Sequence, residues 1–348
     1  MLSNRLITVA FAAAVSMLSA TALARDLAVV SWGGAYQDAQ REVYFKPFME
    51  KTKVKMTEEN WDGGVGTLRA KIQGGNNNWD VVQVESEELL LGCEEGLYEK
   101  IDWAKLGGKD KFLPDAVNDC GVGAIVYSFI LAYDGDKIKG DVPKSWADFW
   151  NVKKWPGKRA LRKGAKTTLE IALMADGVAP KDVYKTLGTP AGVDRAFKKL
   201  DEIKPNMVWW EKGSQPPQLL ASGEVAMTDA YNGRIAAANE KDKKNFKIVW
   251  HNNLYTIDSW VIMKGSPNKA QAETFLQFVS DPQYQKNLPE KITYGPTTKA
   301  STAMIDKKVL PELATAPQNM ASALPINDKF WLENLDKLSQ RFNAWVAK

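Results

Sequence analysis

The sequence predicts an α/β protein of two doubly wound units, each a mostly parallel sheet with helices on both faces. Three observations carry this. Short apolar runs alternate with segments whose apolar residues recur at helical spacing. The alternation restarts after an unbroken apolar run near residue 130. Finally, 348 residues supply enough chain for two cores at roughly 150 residues each.

The elements follow in order. Leu27-Ala-Val-Val-Ser-Trp32 is a short buried-strand run, broken by Gly33-Gly34. Tyr36 to Lys51 carries Tyr36, Ala39 and Val43 at helical spacing, with Pro47 a source of irregularity. Val54–Glu59 is strand-like, and Val65, Leu68 and Ile72 line a helix that Gly74-Gly75 ends. Trp79 to Val84 is a strand, and Ser86 to Glu95 a helix stopped by Gly96. Gly123 to Tyr133 suits a buried strand leaving the first unit. The second unit has helices at 146–150, 168–176, 181–187, 191–203 and 231–240, with strands at 159–161, 206–210 and 224–228. A strand at Asp258–Met263, a helix at Gln271–Val279 and a helix-rich tail close the chain. No flexible linker separates the units, so short strands join them as a hinge.

Composition removes several chemistries. A formal charge of +4 on 46 basic and 42 acidic groups, with no Lys/Arg block, does not suit nucleic acid. The single histidine, His251, builds no multi-histidine zinc site, and two cysteines complete no Cys₄ site. There is no G-x-S-x-G elbow, no G-x-G-x-x-G loop and no Walker motif. Tryptophan is abundant instead, at 13 of the 35 aromatic residues. Aromatic surface at that level serves packing or grips a small organic ligand.

Residues 1–24 have the pattern of a secretory leader: Arg5, the apolar stretch Leu6 to Leu18, and Ala22-Leu23-Ala24 at the cleavage point. The apolar run is shorter than the ~20 residues of a spanning helix. The expectation is therefore export to an oxidising compartment with cleavage after Ala24, and a disulfide between Cys93 and Cys120.

Ligands of open α/β sheets sit beyond the carboxyl ends of parallel strands. Those ends carry Trp32 and Tyr36, Glu85 and Ser86, and Asp229 and Tyr231, while Asp258 with the preceding Tyr255 marks the last strand. Aromatic faces beside carboxylates form a box for an organic cation. Glu87-Glu88 and Glu94-Glu95 are taken as solvated helix faces. Paired acids such as Glu85 with Asp229 or Asp258 also keep a secreted carboxylate-dependent hydrolase in view.

Further segments carry a resemblance. Val142-Pro-Lys-Ser-Trp146-Ala-Asp-Phe-Trp150, Trp155-Pro-Gly-Lys158-Arg-Ala160, Ser222-Gly-Glu-Val-Ala-Met227 and Tyr294-Gly-Pro-Thr297 occur in that order. With the leader and the two α/β units, the chain resembles the periplasmic solute-binding proteins of ABC importers. It is similar above all to the polyamine-binding branch and its γ-aminobutyrate-binding relatives. The resemblance implies the two-lobed periplasmic binding protein fold, with lobe 1 from 25–130 and 256–300, lobe 2 from 131–255, and a 301–348 tail packing mainly on lobe 1. It implies Trp32, Tyr36 and Tyr231 as aromatic walls and Asp258 as the amine counter-ion, with Glu85 and Asp229 secondary. It also implies a monomer without cofactor or metal, serving an inner-membrane ABC permease or a sensor. One departure is specific. Where polyamine binders carry acids, this chain has Arg162-Lys-Gly-Ala-Lys166-Thr167-Thr168. Lys163, Lys166 and Thr167 at a helix start suit a carboxylate, so an ω-amino acid fits that polarity better than putrescine, while Glu85, Asp229 or both as a second acid keep a polyamine open.

Overall fold

The computed structural model describes residues 25–348 apart from Asn76; the expected leader lies outside the described residues. Three parallel strands open the chain: β1 (Leu27–Ser31), β2 (Met56–Asn60) and β3 (Val81–Val84). Between β1 and β2, helix Gly34–Gln40 widens into a π-helical turn over Arg41–Phe45 before helix Lys46–Thr52. Pro47 has no N–H for the carbonyl ladder, which accounts for the irregularity there.

Two long strands follow, β4 (Gly121–Asp134) and, after the second parallel set, β8 (Phe246–Ile262). That second set is β5 (Lys158–Arg162), β6 (Met207–Trp210) and β7 (Val225–Tyr231). With the short β9 (Leu324–Pro325) on β8, the order is β2-β1-β3-β8-β4-β7-β5-β6. The α/β class with two parallel sets is as expected. The join differs: β4 and β8 pair antiparallel along most of their length, from Gly121 opposite Val261 to Asp134 opposite Phe246. One end of β8 pairs with β3, and the later part of β4 pairs with β7. Any rotation of one parallel set against the other must therefore bend the β4–β8 ribbon.

The tryptophan-rich framework is packing. Trp146, Trp150 and Trp155 each give the indole N–H to a backbone carbonyl, of Asn252, Lys199 and Asp141, at 2.8, 2.9 and 3.0 Å. Arg159, fully buried, gives its guanidinium to the carbonyls of Phe149, Gly157 and Trp155. The final helix, Asp328–Val346, packs against helix Ser86–Glu94 and also reaches the second parallel set. Its apolar face meets elements of the second parallel set, with Trp345 against Phe197 and Trp209, Arg341 on Asp194, and Trp331 donating to Glu170.

Cys93 and Cys120 form a disulfide with Cα atoms 5.6 Å apart, tying the end of helix Ser86–Glu94 to the start of β4. Closing a loop of 27 residues is worth roughly 3 kcal/mol in the chain-entropy account. The Cys93→Ala/Cys120→Ala protein should unfold at correspondingly lower denaturant with an unchanged native far-UV spectrum, checked by urea titration.

Candidate ligand-binding cleft

The carboxyl ends of β1, β2, β3, β5, β6 and β7 all open on one cavity of about 170 Å³. That is small for a ligand site and suits a metabolite of few atoms. Immediately after β1, Gly33 and Gly34 both take left-handed φ values, 59° and 55°. A side chain on Gly34 would come within 2.9 Å of Arg234 Nη1. This turn presents the carbonyls of Trp32 and Gly33 to the Arg234 guanidinium, which donates to them at 3.1 and 2.9 Å.

Aromatic rings line the walls. Trp32 stacks on Trp61 with centroids 5.3 Å apart. Tyr36 meets Tyr294 edge-on at 5.2 Å, and Tyr127 meets Tyr231 at 5.4 Å. Asp258 lies among these rings, 4 % exposed. Gln83 donates to Asp258 Oδ2 at 3.2 Å and to the Tyr36 hydroxyl at 2.8 Å. Among the described residues, Asp258 Oδ1 and the Tyr127 hydroxyl, both buried, have no hydrogen-bond partner. Burial, and then the Glu85 charge, push the Asp258 carboxyl well above the usual carboxylate range. A buried acid with a free lone pair inside an aromatic box is a receptor for an ammonium group.

The cavity's cations differ in their pairing. Arg162 pairs with Glu85 at 2.8 Å, and Lys166 behind it pairs with Glu85 at 3.5 Å and with Glu87. Burial opposes ionisation of Glu85, but Arg162 and then Lys166 outweigh it and hold its pKa down at about 2. Arg234 is 6 % exposed and has no carboxylate partner among the described residues. Its charge rests on two carbonyls and, at 6.0 Å, the face of Tyr36.

Trp32, Tyr36, Glu85, Tyr231 and Asp258 are brought together on this cavity. Ser86 and Tyr255 line a separate, wider hollow, where the Ser86 hydroxyl donates to Asp328. Tyr255 is three residues from Asp258 in one strand, an odd offset that sends the two to opposite faces. Asp229 lies behind the wall, accepting from the Trp210 indole at 2.6 Å, and its burial raises it to about 7. Lys163 points to the surface and pairs with Glu211 at 2.7 Å. Lys166 and Thr167 are buried off the cavity, Thr167 at a left-handed φ of 71°. The basic segment therefore contributes Arg162 to the cavity, rather than the three residues expected of it. Glu87 and Glu88 are not solvated but 9 % and 6 % exposed, one held by Lys166 and the other capping the N-terminus of its own helix. Arg234, Tyr127 and Tyr294 escaped the sequence reading as site residues. Tyr127 alternates with Ile125 on one face of β4, and Arg234 lies in the first turn of helix Asn232–Lys241, directly after β7.

A model of the family described as bacterial extracellular solute-binding protein matches residues 44–320. The chain belongs to this family. Within it, the γ-aminobutyric acid-binding protein of Pseudomonas aeruginosa is 49% identical over 339 residues, covering 97% of this chain and 94% of that one. The spermidine/putrescine-binding periplasmic protein of Escherichia coli is 22% identical over 348 residues, covering 94% and 96%. A solved GABA receptor superposes with a TM-score of 0.81 at 34% identity, covering 93% of this chain and 98% of that one. As a family member the chain is a solute-binding protein of the ABC-importer class, in which binding of small molecules serves a membrane permease. Polyamine-binding relatives are periplasmic, and the Cys93–Cys120 disulfide fits an exported chain.

Proposed function

We propose that the protein captures a short ω-amino acid of the γ-aminobutyrate class in this cleft and delivers it to an inner-membrane ABC permease. One observation carries the reading. Among the described residues, Asp258 keeps an unpartnered carboxylate oxygen, and Arg234 keeps a buried charge without an acid, in the same small aromatic-walled cavity. An ammonium at Asp258 and a carboxylate at Arg234 satisfy both. A neutral solute leaves both wanting, and a diamine sets its second cation against Arg234 or Arg162. Names of relatives support the same class: the protein 49% identical to this chain binds γ-aminobutyric acid.

In this reading the chain is a monomer without catalytic role or nucleic-acid partner. Its mature form begins at Arg25, and the lobes 25–130 with 256–300, and 131–255, rotate about β4 and β8 to enclose the solute. Isothermal titration of the purified protein with γ-aminobutyrate, putrescine and spermidine tests it. The expected order is γ-aminobutyrate far above either polyamine. Tight putrescine binding with no heat from γ-aminobutyrate would overturn it.

A further inference from the structure

We infer that Glu85, Glu87, Arg162 and Lys166 form a charge-cancelling clasp that joins the two sides of the cleft and bars a second cation from it. This rests on the reading above that the solute carries one ammonium group. The two acids come from the turn and helix after β3, and the two bases from the last residue of β5 and the segment that follows it. Those elements stand on opposite sides of the β4–β8 ribbon, so the pairs form only when the two sides meet.

The placement has the marks of a built cluster. Glu85 is the N-cap residue of helix Ser86–Glu94, its backbone N–H donating to Glu88 Oε2 at 2.9 Å. Across the cleft, Thr167 adopts a left-handed backbone that L side chains rarely take, directly after Lys166 and before helix Thr168–Ala175. Lys166 is 6 % exposed and Glu85 5 %, so neither charge is answered by water. Two bases and two acids then sum to zero. Glu88, a third acid on the same helix, is raised to about 8 by burial and by Glu85 and Glu87, so at neutral pH it adds little charge.

Glu85 lies on the cavity wall and, alone, would welcome the second ammonium of a diamine. Arg162 and Lys166 spend that carboxylate, and Arg162 itself presents positive charge to the same space. Of the other acids lining the cleft, Asp62 pairs with Lys212 and Glu211 with Lys163, which leaves Asp258 for the solute among the described residues. This is discrimination by a repulsive element, independent of the attractive contacts.

The test compares wild type with Arg162→Gln/Lys166→Gln, in which Glu85 and Glu87 are set free. Titration with putrescine and γ-aminobutyrate should show the ratio of putrescine to γ-aminobutyrate affinity rising at least ~tenfold in the variant. The reciprocal Glu85→Gln/Glu87→Gln protein frees two bases, and its ratio should fall while glutarate, a dianion, gains affinity. An unchanged ratio in both folded variants would overturn the proposal. Small-angle scattering without added solute provides a second readout: either variant should have a larger radius of gyration than wild type, and superimposable curves would refute the clasp. If either double variant fails to fold by circular dichroism, the single Arg162→Gln or Glu85→Gln protein takes its place with the same expected signs. Wild type that binds neither solute refutes the ligand reading alone, and the scattering comparison still decides the clasp.

Discussion

Asp258→Asn should lower the affinity for γ-aminobutyrate by at least about a hundredfold, and it should remove the pH dependence of binding. Truncating one partner of a buried charged pair costs roughly 2–5 kcal/mol, and Asp258 has no acid behind it with a free charge: Glu85 is already bound to Arg162 and Lys166. The pH effect has a definite sign. Without solute, burial raises the Asp258 pKa, so the folded protein holds this proton more tightly than the unfolded chain does. Its contribution to stability is full below the ordinary carboxylate range and is lost as pH rises through the folded value. An ammonium ligand needs the ionised form and reverses the shift. Affinity should therefore climb with pH until Asp258 has titrated, and calorimetry in buffers of differing ionisation enthalpy should record proton release below that point. In Asp258→Asn both signals vanish. Persistence of proton release in the variant would place the amine at another group.

Arg234→Gln should cost a similar factor through the other end of the solute. Since Arg234 also holds the Trp32 and Gly33 carbonyls, loss of a ligand contact must be separated from loosening of the turn. Butylamine, which lacks the carboxylate, makes the separation: wild type and Arg234→Gln should bind it equally weakly. The ratio of γ-aminobutyrate to butylamine affinity should fall by at least about thirtyfold. Arg234→Lys keeps the charge without the planar fork and should fall between them. An unchanged ratio in Arg234→Gln would move the carboxylate subsite elsewhere.

The strand and helix pattern was readable because most elements bury one face against the sheet. Helix Pro190–Ile203 and strands β3 and β5 lie within a residue or two of their expected bounds. The first half of β8 was not readable, for a physical reason. Between Leu254 and Val249 four residues stand against the single Ile130, and Asn252 takes a φ of 56°. That bulge breaks the alternation that marks a strand. Its polar side chains find tertiary partners, Asn253 with Ser128 at 2.8 Å and with the Asn319 carbonyl at 2.7 Å.

The same divide separates the site residues. Trp32 was within reach because the end of β1 is visible in the sequence, and a strand end is where a doubly wound sheet keeps its ligands, whereas Asp258, read as the start of a strand, lies inside β8. The fate of the basic segment was not within reach. Arg162 and Glu85 are 77 residues apart and Lys166 and Glu87 are 79 apart. Only the assembled cleft reveals that each base already has an acid. A local reading assigns those charges to the solute; in the function proposed above that task falls to Arg234, in the first turn of helix Asn232–Lys241.

The disulfide has a practical corollary. Both cysteines of the chain are consumed in one bridge, and no free thiol remains. A cysteine introduced at the rim, where Asp62 and Lys212 face each other at 3.0 Å, would be the sole attachment point for a thiol-reactive dye, provided the bridge is kept oxidised. The natural sequence is thus a chemically blank frame for an optical reporter, in which capture of the solute is read as a change in colour or brightness.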